Sequence, residues 1–407
     1  MLKRINIIAV ILLIIWISFF PEPIQGKYHF AAKTILGLAF LALLIRKHGS
    51  LFKRRDFPLW VFLIAIGINV FFAQKQDIAL RTYLDLAIPM FMVYYLVREG
   101  FSRETEFNLL AKTICICSIL VALGGIFEAL FKFNPIYEYF LENPFYRRYI
   151  TGFVRPMSTQ FNPAVLGSYL LASLPFNLLL FKRNKTSFKF LGALGIVLNI
   201  VVIILTFSRG VFLGLIAIVV FYLFAQRKFR LMFVFFIILL TAITIFSYLP
   251  YPFSRFGKSQ MTRENRGILS DYRFSRCIMT QRIIKDHPFI GLGFQHFRIR
   301  FYEYWPRESK ELYEFMIADN MYLTILAETG TIGLLGFLIF IFSFFKRGWR
   351  QLKVLKNMPQ RRLQLFAALS GFTGLLVNMG AYELFYWHNP YLYFCIIVGC
   401  IGSFVRK

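Results

Sequence analysis

The chain has 407 residues, 58% of them hydrophobic, 19% aromatic and 16% charged, and its mean hydropathy is +0.60. A soluble globular chain is about a quarter charged, so this composition excludes a water-soluble fold and points to an all-α polytopic membrane protein. The net charge of +27 comes from 47 Lys and Arg against 20 Asp and Glu. Most of these cations stand in short segments between apolar runs, as topology signals do. The expected partner is therefore the lipid bilayer, and no nucleic acid.

A bilayer core needs roughly 20 apolar residues per helix. Twelve runs meet that need: about 5–20, 29–45, 57–73, 78–97, 108–131, 164–181, 188–207, 211–226, 231–249, 320–345, 363–381 and 389–405. Lys3 and Arg4 precede the first, but Phe19-Phe20-Pro21-Glu22 offers no small-residue cleavage site, so it is expected to remain as a span. Cations then cluster after every even-numbered span: Arg46 to Arg55, Arg98 and Arg103, Lys182 to Lys189, Arg227 to Arg230, Lys346 to Arg362, and Arg406-Lys407. All fall on one side if twelve spans are right, which predicts a cytoplasmic location for both termini.

Two outer segments exceed mere connections, about 132–163 and 250–318. The division expected is 1–249 (spans 1–9), a partly helical outer loop at 250–318, and 319–407 (spans 10–12). The second loop carries twelve Lys and Arg against seven acids, an excess on the side where such charge is disfavoured. An anionic ligand would explain it, since guanidinium forks match phosphate oxygens.

Within this loop Ser270 or Asp271 predicts a helix start, and Pro288 a stop. Arg273 and Arg276 then lie three apart on one helix face. Gly291-Leu292-Gly293 reads as a turn with backbone N–H groups to spare. Ser208-Arg209-Gly210 places an arginine at the outer end of two apolar helices, which is costly unless it is paired or functional. Asp319 opens span 10 as either a helix cap or a general base. Glu328 lies too deep to share its surroundings and reads as a structural carboxylate, paired with Arg81 or another cation of the membrane interior. Arg81 and Asp85, four apart in span 4, are expected to neutralise each other. The five cysteines show no paired metal spacing, and no metal or other cofactor is expected. Nor does an internal repeat support a transporter of duplicated halves.

Four stretches together resemble the O-antigen ligase and polymerase superfamily of membrane glycosyltransferases. Leu205-Thr206-Phe207-Ser208-Arg209-Gly210 is similar to its T-x-SRG helix end. Arg273 through Asp286-His287-Pro288-Phe289-Ile290-Gly291-Leu292-Gly293 is similar to its Arg, helix, acidic-His-Pro, G-x-G pattern. Asp319-Asn320 to Gly330-Thr331-Ile332-Gly333 resembles its H-N-x-x-L…E-x-G-x-x-G segment. Arg155-Pro156 with Phe161-Asn162-Pro163 resembles its Arg…F-x-N-P-N helix start. Ligases of the family carry His where this chain has Asp319, and the aromatic that often follows the Arg273 position is here Cys277.

The resemblance implies a GT-C-like fold and transfer of a glycan from an undecaprenyl-diphosphate carrier. The acceptor would be lipid A–core or another glycan, and the site the outer, periplasmic face of the bacterial inner membrane. The lipid diphosphate is already a good leaving group, so the expectation is metal-independent, inverting transfer. Arg209, Arg273, Arg155 and Arg276 would bind diphosphate, and Asp319 would deprotonate the acceptor. An O-antigen or exopolysaccharide polymerase is the alternative. A transporter of lipid-linked glycan should show charge along several spans, which is sparse here.

Overall fold

The computed structural model describes residues 2–47, 51–140, 149–150, 153–183, 186–248, 272–305 and 318–405. In chain order the helices are α1 (Leu2–Phe19), α2 (Glu22–Lys47), α3 (Phe57–Val70), α4 (Gln76–Gly100), α5 (Glu104–Phe131), α6 (Pro135–Phe140), α7 (Pro163–Phe181) and α8 (Thr186–Leu205). They continue with α9 (Arg209–Ala225), α10 (Phe229–Tyr248), α11 (Tyr272–Asp286), α12 (Phe297–Tyr304), α13 (Met321–Val354), α14 (Pro359–Met379) and α15 (His388–Phe404). A two-residue antiparallel pair, β1 (Tyr149–Ile150) and β2 (Phe153–Val154), is the one departure from helix and turn among the described residues. Every apolar run marked in the sequence forms a helix. Five of them, at 76–100, 104–131, 163–181, 186–205 and 321–357, are long and apolar enough to cross a membrane; α9 and the first part of α10 are apolar but shorter.

The inside-out apolar distribution identifies the solvent. Leu38, Phe71, Leu130, Phe190, Phe233 and Leu240 are each more than 60% exposed, a surface that water would not tolerate and lipid would. At the centre stand α7 and α15, apolar on all sides and buried along nearly their whole length, as all-round hydrophobic helices must be. Around them pack α4, α5, α8, α9 and α14, while α3 lies along α13.

The α15 helix, about 25 Å long at 1.5 Å per residue, joins two polar ends of the bundle. At its C-terminal end the Val405 carbonyl accepts from Arg55, next to a buried ion cluster. Arg98 reaches both Asp56 carboxylate oxygens at 2.6 Å, and the Tyr94 and Tyr95 hydroxyls donate to the same carboxylate at 2.8 and 3.2 Å. Arg98 therefore corrects one expectation: it is an interior side chain at 2% exposure, not only a signal beside lipid. A second correction concerns Asp85. Its partner is Lys33 of α2 at 2.5 Å, while Arg81 is exposed; a neighbouring helix supplied a closer cation than the same helix four residues back.

At the other end α13 is broken at Gly330, whose φ of 64° and ψ of −167° leave the helical region. Glycine is required there on two counts: the positive φ and the approach of the 288–293 turn, whose Phe289 carbonyl carbon would lie 2.2 Å from an added Cβ. The turn hydrogen-bonds across the break, with Leu292 N donating to Ala327 O and Gly293 N to Glu328 O, both at 2.9 Å, and Thr331 N to Pro288 O at 2.9 Å. With Gly291 N donating to His287 O at 3.2 Å, all three G-x-G amides are committed within the protein and not available to a ligand, contrary to the sequence expectation. Asn69 of α3 fixes the same crossing through Ile290 O, Glu328 O and Phe294 N.

Candidate functional site

Arg276 and Asp319 meet. Met279 and Ile283, three and seven residues beyond Arg276 on α11, are buried with Leu292, Phe297, Trp305 and Ala327. That stripe presses one face of α11 onto α13 and so fixes which way Arg276 points. Its Nη1 lies 2.7 Å from Asp319 Oδ2, with the arginine 11% and the aspartate 33% exposed. Arg273 lies one turn earlier in α11, and its side chain falls outside the described residues. The helix observed, Tyr272–Asp286, agrees with the start and stop signals read around it.

Asp319 is not the cap of α13. That role belongs to Asn320, whose Oδ1 accepts from Tyr322 N at 3.0 Å and Leu323 N at 3.1 Å. Asp319 precedes the cap with φ of 54°, a left-handed conformation that Asp tolerates better than most side chains. Its carboxylate is therefore released from capping and turned to Arg276.

Beside this pair stands a carboxylate that the motifs did not mark. Glu383, in the connection between α14 and α15, is fully buried. Its Oε1 accepts from Asn320 N at 3.3 Å and Thr324 Oγ1 at 3.2 Å, whereas its Oε2 has no hydrogen-bond partner among the described residues. Burial pushes the carboxyl up to about 8; the Asp319 charge adds to the rise and Arg276 opposes it. Near neutral pH Glu383 holds its proton. A lone Glu in the aromatic run Tyr382-Glu383-Leu384-Phe385-Tyr386-Trp387 was the available signal.

The other two arginines converge on the α8–α9 turn. Arg155, 9% exposed, donates from Nε to the Thr206 carbonyl at 2.6 Å. Three residues on, Arg209 opens α9, whose Ser208 cap position follows Phe207 at φ of 46°. The segment from Arg155 to the α7 start is held firmly. Glu128 accepts from Met157 N and Ser158 N at 2.9 and 2.7 Å, and Asn389 Nδ2 donates to Gln160 Oε1 at 2.9 Å. Asn162 then caps α7 through Ala164 N at 2.9 Å.

The C-terminal end of α14 links the two groups. A Cβ on Gly210 would lie 2.8 Å from Asn378 Oδ1 and 2.9 Å from Ala381 Cβ, so α9 begins directly against that end. From the far side Asn320 Nδ2 donates to Gly380 O at 3.0 Å. Arg155, Arg209, Arg276, Asp319 and Glu383 thereby ring one end of the bundle. Glu328, in contrast, is a structural carboxylate as expected, but its partners are Tyr386 OH and Phe297 N, not Arg81. Tyr386 in turn lies under the Arg298 guanidinium, 4.0 Å from its ring centre. Among the described residues no three His, Cys, Asp or Glu side chains gather as metal ligands would.

Such a bundle, apolar outward and carrying an arginine–carboxylate centre at one end, is that of an integral membrane protein. Residues 194–338 match the family model described as O-antigen ligase, the superfamily to which the four motifs point. The matched interval runs from α8 past the break in α13 and includes Arg209, Arg273, Arg276 and Asp319; Arg155 and Glu383 lie outside it. No curated protein matches the chain.

Proposed function

We propose that this protein transfers a glycan from an undecaprenyl-diphosphate carrier to an acceptor hydroxyl at the outer face of the bacterial inner membrane, with twelve spans and both termini in the cytoplasm. The observation that carries the reading is the Arg276–Asp319 pair beside the buried Glu383, at the end of the bundle where Arg155 and Arg209 also converge. In the transfer, the acceptor oxygen attacks the anomeric carbon from the face opposite the diphosphate. The new C–O bond forms as the bond to diphosphate breaks, with inversion, and the hydroxyl proton passes to Asp319. Charge accumulates on the departing diphosphate, and guanidinium groups fixed in advance stabilise it.

Asp319 paired with Arg276 is a weak base. A diphosphate offers Arg276 a more highly charged bidentate partner, so donor binding draws the guanidinium away and frees the carboxylate when it is needed. Arg209 and Arg273 complete the clamp. Arg155, with Nε committed to Thr206, anchors the turn that presents Arg209 and adds its positive charge beside the same anion. The arginines supply the countercharge that Mg²⁺ supplies to diphosphates elsewhere, so turnover needs no metal.

The acceptor we favour is of the lipid A–core type. The specific observation favouring a polymerase instead is Asp319 in the place of the ligase His. Purified protein reconstituted with a lipid-linked oligosaccharide separates them. Transfer onto lipid A–core supports ligation, whereas a ladder of lengthened lipid-linked chains without it supports polymerisation. Transfer to neither, with movement of the donor across the bilayer, would overturn both.

A further inference from the structure

At the opposite end of the bundle from Asp319, α5, α7 and α8 line a half-open cavity of about 220 Å³. Four polar side chains line it: Thr105, Asn108, Lys112 and Arg183. The Arg183 guanidinium has two buried nitrogens, Nε and Nη2, without a hydrogen-bond partner among the described residues. Its nearest carboxylate, Glu104, stands 3.7 Å from Nη2 and is 44% exposed, beyond hydrogen-bond reach. Lys112 lies 5.9 Å from the Phe188 ring centre and forms no carboxylate pair among the described residues. Gln364 donates to Asn108 Oδ1 at 2.8 Å, which leaves the Asn108 amide N–H groups as donors. The cavity thus presents donors and two cations, and among the described residues Arg183 is neutralised only by a long ion pair to the partly exposed Glu104.

Buried guanidinium nitrogens without partners are costly, and what would satisfy them is an anion with several oxygens. Leu180 and Phe188 form the apolar part of the wall. Phe181 and Phe190 nearby are 44% and 70% exposed, so acyl chains have a surface to follow away from the cations. Charge assigns this end to the cytoplasm, where basic recesses between helices hold anionic headgroups.

We propose that this cavity binds a phosphate group, that of an anionic phospholipid of the inner leaflet, with Arg183 and Lys112 as its cationic ligands. The site is independent of glycan transfer and does not rest on it.

Native mass spectrometry of the delipidated protein, titrated with phosphatidylglycerol, phosphatidylcholine or inorganic phosphate, tests this. The wild type should retain phosphatidylglycerol over phosphatidylcholine. The Arg183→Gln/Lys112→Gln double variant should bind the first bound phosphatidylglycerol about tenfold more weakly. A Lys353→Gln/Lys356→Gln variant, which removes equal charge from exposed positions, should bind as the wild type does. Equal weakening in both double variants would show diffuse attraction only and overturn the site. Competition by millimolar inorganic phosphate that matches the lipid in strength would place a free phosphate there and overturn the lipid. Should the first double variant fail to fold, Arg183→Lys serves instead: it keeps the charge and loses the fork, and unchanged lipid retention would likewise refute the proposal.

Discussion

The two ends of the bundle each bury a carboxylate, and they satisfy it differently. Asp56 has every need met: two contacts from Arg98 at 2.6 Å and two tyrosine hydroxyls. Glu383 keeps one oxygen without a partner among the described residues, and the adjacent Arg276 is committed to a second carboxylate, Asp319. A fully matched network fixes structure. An under-matched one, with a buried carboxyl oxygen left without a partner among the described residues, leaves room for partners to change. The contrast separates a staple from a site.

The largest effect expected falls on the matched end. Asp56→Asn removes the buried carboxylate that Arg98 meets with Nη1 and leaves the guanidinium only Glu99, 2.9 Å from Nη2, a loss of up to about 3–5 kcal/mol for a broken buried pair. Thermal unfolding in detergent should show it as a large drop in Tm, or as protein lost from the membrane. Asp319→Asn, at a partly exposed position that does not cap its helix, should leave Tm almost unchanged. Equal losses at both positions would erase the distinction.

A smaller effect separates charge from geometry at the site. Arg209→Lys, Arg273→Lys and Arg276→Lys each keep the charge and lose the bidentate fork. Each should cost about 10- to 100-fold in turnover while expression is maintained. Wild-type rates in a reconstituted assay for all three would remove diphosphate clamping from the account.

Glu383 sharpens the comparison through pH. Its carboxyl is pushed up to about 8 by burial, with Asp319 adding, whereas in the unfolded chain it ionises near 4.3. The folded state therefore holds a proton that the unfolded state releases. The associated stability is fully present below about pH 4 and is lost as pH rises through 8. Glu383→Gln removes this dependence, so the fall in Tm between pH 5 and pH 8.5 should be smaller than in the wild type. An unchanged slope would show that Glu383 is already ionised. The smallest effect is none: EDTA should leave turnover intact, and its abolition with recovery on Mg²⁺ addition would refute arginine as the sole countercharge.

Much of this was legible in the sequence, for identifiable reasons. Apolar runs long enough for a bilayer located each main helix, because lipid imposes the same length requirement everywhere. Arg276 and Asp319 were both marked, by loop charge and by motif, though only the packing of Met279 and Ile283 reveals that they touch. Partner choice across helices was not legible: Asp85 takes Lys33 of α2 and not Arg81 of its own helix, because such pairs are settled by neighbours distant in sequence. The break at Gly330 was likewise hidden, since it exists to admit the 288–293 turn. Glu383 stood in a short connection without a motif. Its meaning comes from burial, which a single carboxylate among aromatics only hints at.

The central claim is that Asp319 activates the acceptor. The measurement that tests it most directly is the turnover of Asp319→Asn and Asp319→His in proteoliposomes supplied with lipid-linked glycan and acceptor. Asn removes the proton-accepting group and should lower turnover by about 10²–10⁴-fold without unfolding the protein. His, which the resembling ligases carry there and which ionises near 6.5 when unperturbed, should retain far more activity than Asn, with the pH optimum moved upward. Normal turnover in the Asn variant would contradict the account and leave the Arg276–Asp319 pair as a structural contact.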